Sequence, residues 1–95
     1  MEEFDGLFVS HEILSDSNLT VMEKLLLSVL KSDLFDETVS NRALGDFFNL
    51  SKITISRLVS SLEKKGYIET AIFYNYEVMI HDSTIKTTVR KIKVL

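Results

Sequence analysis

Ninety-five residues suffice for one domain with a single modest core, and a chain without cysteine cannot staple itself with disulfides or hold a metal through thiolates. Proline is absent and glycine occurs only at positions 6, 45 and 66, which argues against an all-β domain or a flexible linker; no apolar run exceeds four residues, which excludes a membrane-spanning helix. The net charge of −3 hides an asymmetry: residues 1–50 carry three basic against ten acidic side chains, residues 51–95 eight against four, so the second half is the side suited to a polyanion.

In chain order, "MEEFDG" is acidic and unlike a signal-peptide start, so a cytoplasmic protein is expected. Phe8-Val9 reads as a short extended piece, followed by one helical turn around His11–Leu14. Thr20 and Glu23 have the spacing of a capping box, and Leu25, Leu26, Val29 and Leu30 supply the apolar face of a helix over 21–31. Glu37-Thr38-Val39 is a short β-leaning segment. Ser40 is placed to cap a helix over 41–48 that buries Ala43, Leu44, Phe47 and Phe48, and Asn49-Leu50 form the break. Ser51 caps the next helix, which runs to Lys65 with Ile55, Leu58, Val59 and Leu62 as its seam, and Gly66 stands where a left-handed residue is wanted. From Tyr67 the period becomes two, giving a long hairpin through "HDST" at 81–84 into "IKTTVRKIKVL".

Three helices, a short strand and a C-terminal hairpin make an α+β winged helix-turn-helix, with residues 1–95 as one DNA-binding domain. At ~100° per residue, the face of helix 51–65 opposite its seam holds Ile53, Arg57, Ser60 and Lys64; Ser56 flanks it, and Lys52 and Thr54 lie in the first turn. Short hydroxyl side chains let a backbone approach a groove, while Arg57 has the fork for paired acceptors on guanine. Ile53 would be exposed without DNA and would meet a thymine methyl or pack aside. Lys86 and Arg90 on the hairpin complete the expected DNA-contacting set, together with Ser51 at the helix start.

The segment "NRALGDFFNLSKITISRLVSSLEKKGYIE" resembles the phage and plasmid helix-turn-helix pattern n-x-x-L-A-x-x-l-x-x-S-x-x-T-v-s-r-x-i-x-x-L-x-x-K-G-x-I, and "ILSDSNLTVMEKLLLSVL" is similar to that group's lead-in. The group is the winged-helix N-terminal domain of plasmid and phage replication initiators, with related small phage regulators, and the resemblance covers about residues 8–70. It implies duplex DNA as partner and places the recognition positions on Ser51, Lys52, Thr54, Ser56, Arg57 and Ser60. The chain departs from the pattern in having Gly45 for the usual alanine and in lacking the frequent lead-in proline near position 10. Initiators continue into a second domain, so the resemblance implies either a domain of a longer protein or a small stand-alone regulator, in replication or in transcription.

His81-Asp82-Ser83 contains the residue types of a hydrolytic triad, but neighbours in a tight turn cannot converge on one substrate atom. His11 and His81 lack metal-spacing partners, and no glycine-rich phosphate loop occurs, so a non-enzyme without cofactor or metal is expected. Pairing Ile80 with Ile85 across "HDST" sets Val78 against Thr87, Tyr76 against Val89 and Tyr74 against Lys91, with Phe73 against Ile92 on the other face. That register leaves Tyr74, Tyr76, Val78, Ile80, Ile85 and Val89 as an apolar stripe, expected to meet a second copy in a two-fold homodimer. The alternatives are that the N-terminal arm with Phe4, Leu7 and Phe8 covers the stripe, or that a bulge near Arg90-Lys91 turns it inward. A winged-helix protein-interaction module that never binds DNA is the alternative function.

Overall fold

The computed structural model describes residues 7–80 and 83–95; between 75 and 87 the description is of the backbone alone. The order is α1 (His11–Leu14), α2 (Val21–Lys31), α3 (Asn41–Phe48), α4 (Lys52–Lys64), then β1 (Ile68–Ile80) and β2 (Ser83–Val94), which pair as an antiparallel hairpin. This is the expected α+β winged helix-turn-helix, with α1 as the added turn ahead of the three-helix core.

Each helix starts on a hydroxyl that accepts a first-turn amide, which local sequence alone dictates. Ser10 accepts from Ile13, Thr20 from Glu23, Ser40 from Ala43 and Ser51 from Thr54. At Thr20 the capping box is complete, since Glu23 Oε1 accepts the Thr20 amide at 2.8 Å. The ends are equally determined. Gly66, at φ 87°, closes α4: its amide donates to Glu63 O and the Tyr67 amide to Leu62 O, each at 3.0 Å, the paired hydrogen bonds of a Schellman stop. Asn49, at φ 59°, ends α3 in the left-handed region, which Asn tolerates better than most residues.

The turn between α3 and α4 explains Gly45. Its carbonyl accepts the Leu50 amide at 2.8 Å, and this fold-back brings Leu50 O to 2.5 Å from where a Cβ on residue 45 would stand. The obstacle is backbone, so a side chain there has to push the turn apart. Gly45→Val is therefore expected to destabilise the domain by roughly 1–3 kcal/mol, the usual cost of overpacking, as read by urea denaturation.

The core is one cluster. Leu26, Leu27 and Val29 of α2, Leu44 of α3, and Ile55, Val59 and Leu62 of α4 meet Ile68 and Ile92 from the base of the hairpin, with Ile13, Leu19 and Val39 closing its edges. Leu58 is half-buried against this cluster and Leu62 fully buried within it. Phe47 differs from expectation: it is 49 % exposed, at the rim of α3, its ring edge-on to Phe35 at 5.4 Å and to Phe48 at 5.1 Å. Those two rings take the inward places, and Phe47 closes the cluster from outside.

Glu37–Val39 is not a strand. The Asp36 carboxylate accepts both the amide and the hydroxyl of Thr38, bending the chain into a turn. One backbone bond remains toward the sheet, from the Ile92 amide to Glu37 O at 2.8 Å.

The hairpin register also differs. Ile68 lies opposite Val94, Thr70 opposite Ile92 and Phe73 opposite Val89; after a shift between Phe73 and Tyr76, Tyr76 lies opposite Thr87, Val78 opposite Ile85 and Ile80 opposite Ser83. The strands are thus two to three residues out of the expected pairing. The bulge falls on β1 at Tyr74-Asn75, not on β2 near Arg90-Lys91. His81 and Asp82, where the sequence places the turn, lie outside the described residues. The described part of the N-terminal arm does not cover the hairpin: Leu7 packs on the core and Phe8 sits beside Ser10, Ile13, Ser28, Lys31 and Ser32.

Candidate nucleic-acid interface

The face of α4 turned away from the core is built by helical spacing. With Ile55, Val59 and Leu62 buried, positions 52, 53, 56, 57, 60 and 64 must face outward, and Lys52, Ile53, Ser56, Arg57, Ser60 and Lys64 are all exposed. Ile53 is 67 % exposed at the start of this face, as expected for an isolated chain. Thr54 is half-buried, and its hydroxyl accepts from Ser51 Oγ at 2.9 Å, so these two residues shape the helix start. Ser56, Ser60 and Ser61 floor a shallow concavity walled by Arg57, Lys64 and Lys65.

What separates the cations of α4 is their partners. Lys65 is turned back: its Nζ donates to Glu23 Oε1 at 2.8 Å and to Asn18 O at 2.7 Å. The Glu23 carboxylate is buried and also accepts from Ser61 Oγ and the Thr20 amide. Burial alone would raise its pKa, but the bonds from Lys65, Ser61 and Thr20 outweigh this and hold it down at about 2. Lys52, Arg57 and Lys64 have no ion-pair partner among the described residues. Three unpaired cations on one helix face, beside one cation committed to the fold, make a surface whose charge is available to a ligand.

The hairpin residues divide differently. Arg90 is half-buried, donating from one Nη to Asn41 Oδ1 and from the other to Val39 O, each at 2.7 Å, and thereby ties β2 to the start of α3. Burial lowers its pKa from the usual guanidinium value. From sequence Arg90 is expected on DNA alone; partners some fifty positions away leave no local signal. Its guanidinium now borders an open cleft with Thr38, Ser40, Asn41 and Thr88. Lys91 stands 3.6 Å from Glu37 and lies over the Phe73 ring at 5.0 Å. Arg42 in the first turn of α3 and Lys93 near the chain end are further exposed cations that the sequence reading left out.

Of the expected dimer stripe, Tyr74 is exposed and Val89 half-buried. The side chains of Tyr76, Val78, Ile80 and Ile85, and that of Lys86, lie outside the described ones. Among the described residues no cluster of His, Asp or Glu is placed to hold a metal ion, and no helix is long and apolar enough to cross a membrane.

A hydroxyl-capped helix that follows a tight turn and presents, beside a hairpin, cations without an ion-pair partner among the described residues is the arrangement of the DNA-binding class of helix-turn-helix domains. Residues 22–69, just over half of the chain, match the family described as winged helix-turn-helix DNA-binding, and the chain belongs to that family. No curated protein and no solved structure matches it.

Proposed function

We propose that this chain is a sequence-specific duplex-DNA-binding protein of a phage or plasmid, acting at a replication origin or as a transcriptional regulator in the cytoplasm. The observation that carries the reading is the outer face of α4, where Lys52, Arg57 and Lys64 stand exposed, without an ion-pair partner among the described residues, around a floor of serines. In this reading α4 enters the major groove. Arg57 donates its fork to the paired acceptors of a guanine, while Ser56 and Ser60 allow close approach. Ile53 meets a thymine methyl, and Ser51, Lys52, Thr54 and Lys64 hold the flanking phosphates and sugars. Lys86 and Arg90 approach the backbone from the hairpin, and two copies read the two halves of a symmetric site.

Fluorescence anisotropy with random-sequence duplex at two salt concentrations is the direct test. Affinity that falls steeply with salt supports phosphate contacts. Duplex selection should then yield a preferred site, on which Arg57→Ala costs roughly 1–3 kcal/mol and relaxes base choice, whereas Lys64→Ala weakens all duplexes alike and flattens the salt slope. Absence of salt-dependent binding to any duplex would leave a protein-interaction module instead, and an Arg57→Ala variant as tight and selective as wild type would remove α4 from the groove.

A further inference from the structure

The hairpin is longer than its attachment requires. Ile68, Ile92 and Val94 join the core at its base, after which β1 continues for a further dozen residues. The radius of gyration, 15.1 Å, exceeds the about 12 Å of a compact chain of this length. Ile72, Phe73 and Tyr74, three consecutive large apolar side chains, are 53, 45 and 72 % exposed. Among the described residues the sheet has two strands, so both are edges. An arm of this kind is marginal alone in water and offers unpaired edges to another chain.

The bulge at Tyr74-Asn75 decides what the arm presents. Because Phe73 lies opposite Val89 and Tyr76 opposite Thr87, the extra residue reverses the phase of β1. Ladder positions 71, 73, 76, 78 and 80 of β1 therefore share one side of the ribbon with 83, 85, 87, 89 and 91 of β2. In sequence these include Phe73, Tyr76, Val78, Ile80, Ile85 and Val89, while Glu77 and Lys86, opposite one another, fall on the other side. Continuing the pairing of the hairpin base without the bulge would divide the apolar positions between both sides.

We infer that this side of the hairpin arm pairs with the same side of a second copy of the chain. DNA is a poor occupant, since from 71 to 89 the arm carries one lysine against Glu77 and Asp82, and phosphate binding needs a surplus of cations. From the Phe73–Val89 pair to the tip this side holds no charged position, and Lys91, which the ladder places on it opposite Ala71, is paired with Glu37 at 3.6 Å, so a second copy meets no repulsion there. The area also suffices: at ~150–250 Å2 for each buried aromatic, Phe73 and Tyr76 of two arms, joined by the positions of Val78, Ile80, Ile85 and Val89 on the same side, bring the contact to the order of 1,000 Å2, near the threshold of a specific interface. The pairing deepens the DNA-binding reading by setting two α4 helices on one duplex; the arm contact itself stands without DNA.

Sedimentation equilibrium without DNA separates the two claims. Wild type is expected at twice its 10.9 kDa, predominantly dimeric at about 50 µM. The double variant Phe73→Glu, Val89→Lys places opposite charges across one ladder pair, which spares the hairpin, and is expected to raise the dissociation constant at least about tenfold. Since the chain has no cysteine, Phe73→Cys and Val78→Cys made singly give a reading that does not depend on the charged variant folding. Oxidation should link either into a dimer, and Ser17→Cys, in the exposed loop before α2, should stay monomeric. A monomeric wild type at that concentration, a dimer indifferent to the charged pair, or linkage at Ser17 alone would overturn the inference, whatever the outcome with duplex.

Discussion

Glu23→Ala is expected to cost about 3 kcal/mol of stability, the lower end of what breaking a buried ion pair costs, since Lys65 is partly exposed and can rehydrate. The carboxylate joins three places: the start of α2 through Thr20, the body of α4 through Ser61, and the end of α4 through Lys65. Its titration supplies the sharper readout. The folded-state pKa of about 2 lies below the ordinary 4.5, so between those values the unfolded chain takes up a proton that the folded chain refuses. The contribution is therefore complete above pH 4.5 and lost as pH falls through about 2, a difference of about 3 kcal/mol at 1.36 per unit. Asp16, whose carboxylate accepts from the Tyr67 hydroxyl and the Asn18 amide, and Asp36, held by Thr38, are also lowered and act in the same direction. Urea denaturation from pH 5 to 2 should show Glu23→Gln with a much flatter decline than wild type. Parallel declines would mean that the carboxylate is solvated in the folded state.

Leu62→Ala should be as damaging, at ~2–5 kcal/mol, because Leu62 is fully buried where α2, α4 and the hairpin base converge and the helices around it cannot collapse onto the gap. Leu58→Ala, one turn earlier and half-buried, should cost less, since part of the removed surface is already in water. The sequence pattern ranks the two equally; burial separates them. Equal losses by urea denaturation would place Leu58 inside the core as well.

That contrast shows where sequence reasoning ends. Thr20, Ser40, Ser51, Asn49 and Gly66 act within a few residues of themselves, so caps and stops were legible, and with them the bounds of three helices. The outer face of α4 was legible for the same reason, because one period fixes which side chains oppose Ile55 and Leu62. Partners across the fold were not. Glu23 announced only its bond to Thr20, while Lys65, which reads as one more basic residue, is its counter-ion from 42 positions away. Arg90 reads as a free cation and is held by Asn41 and Val39. The hairpin register failed for two other causes: Ile80 pairs with Ser83 and not with Ile85, which shifts the whole ladder by two, and one surplus residue at Tyr74-Asn75 shifts the base by one more without any glycine to mark the place.

The two fastenings of α4 have a consequence for recognition. One end is set by the Leu50 amide on Gly45 and the other by Lys65 on Glu23, so the helix holds its form before any ligand arrives. Docking such a rod into a groove spends little conformational freedom. In the proposed reading, residues remote from the outer face of α4, Gly45 and Glu23 foremost, set the angle at which Arg57 is delivered. If that reading holds, drift in base preference among variants arises at these fastenings as readily as on the outer face of α4.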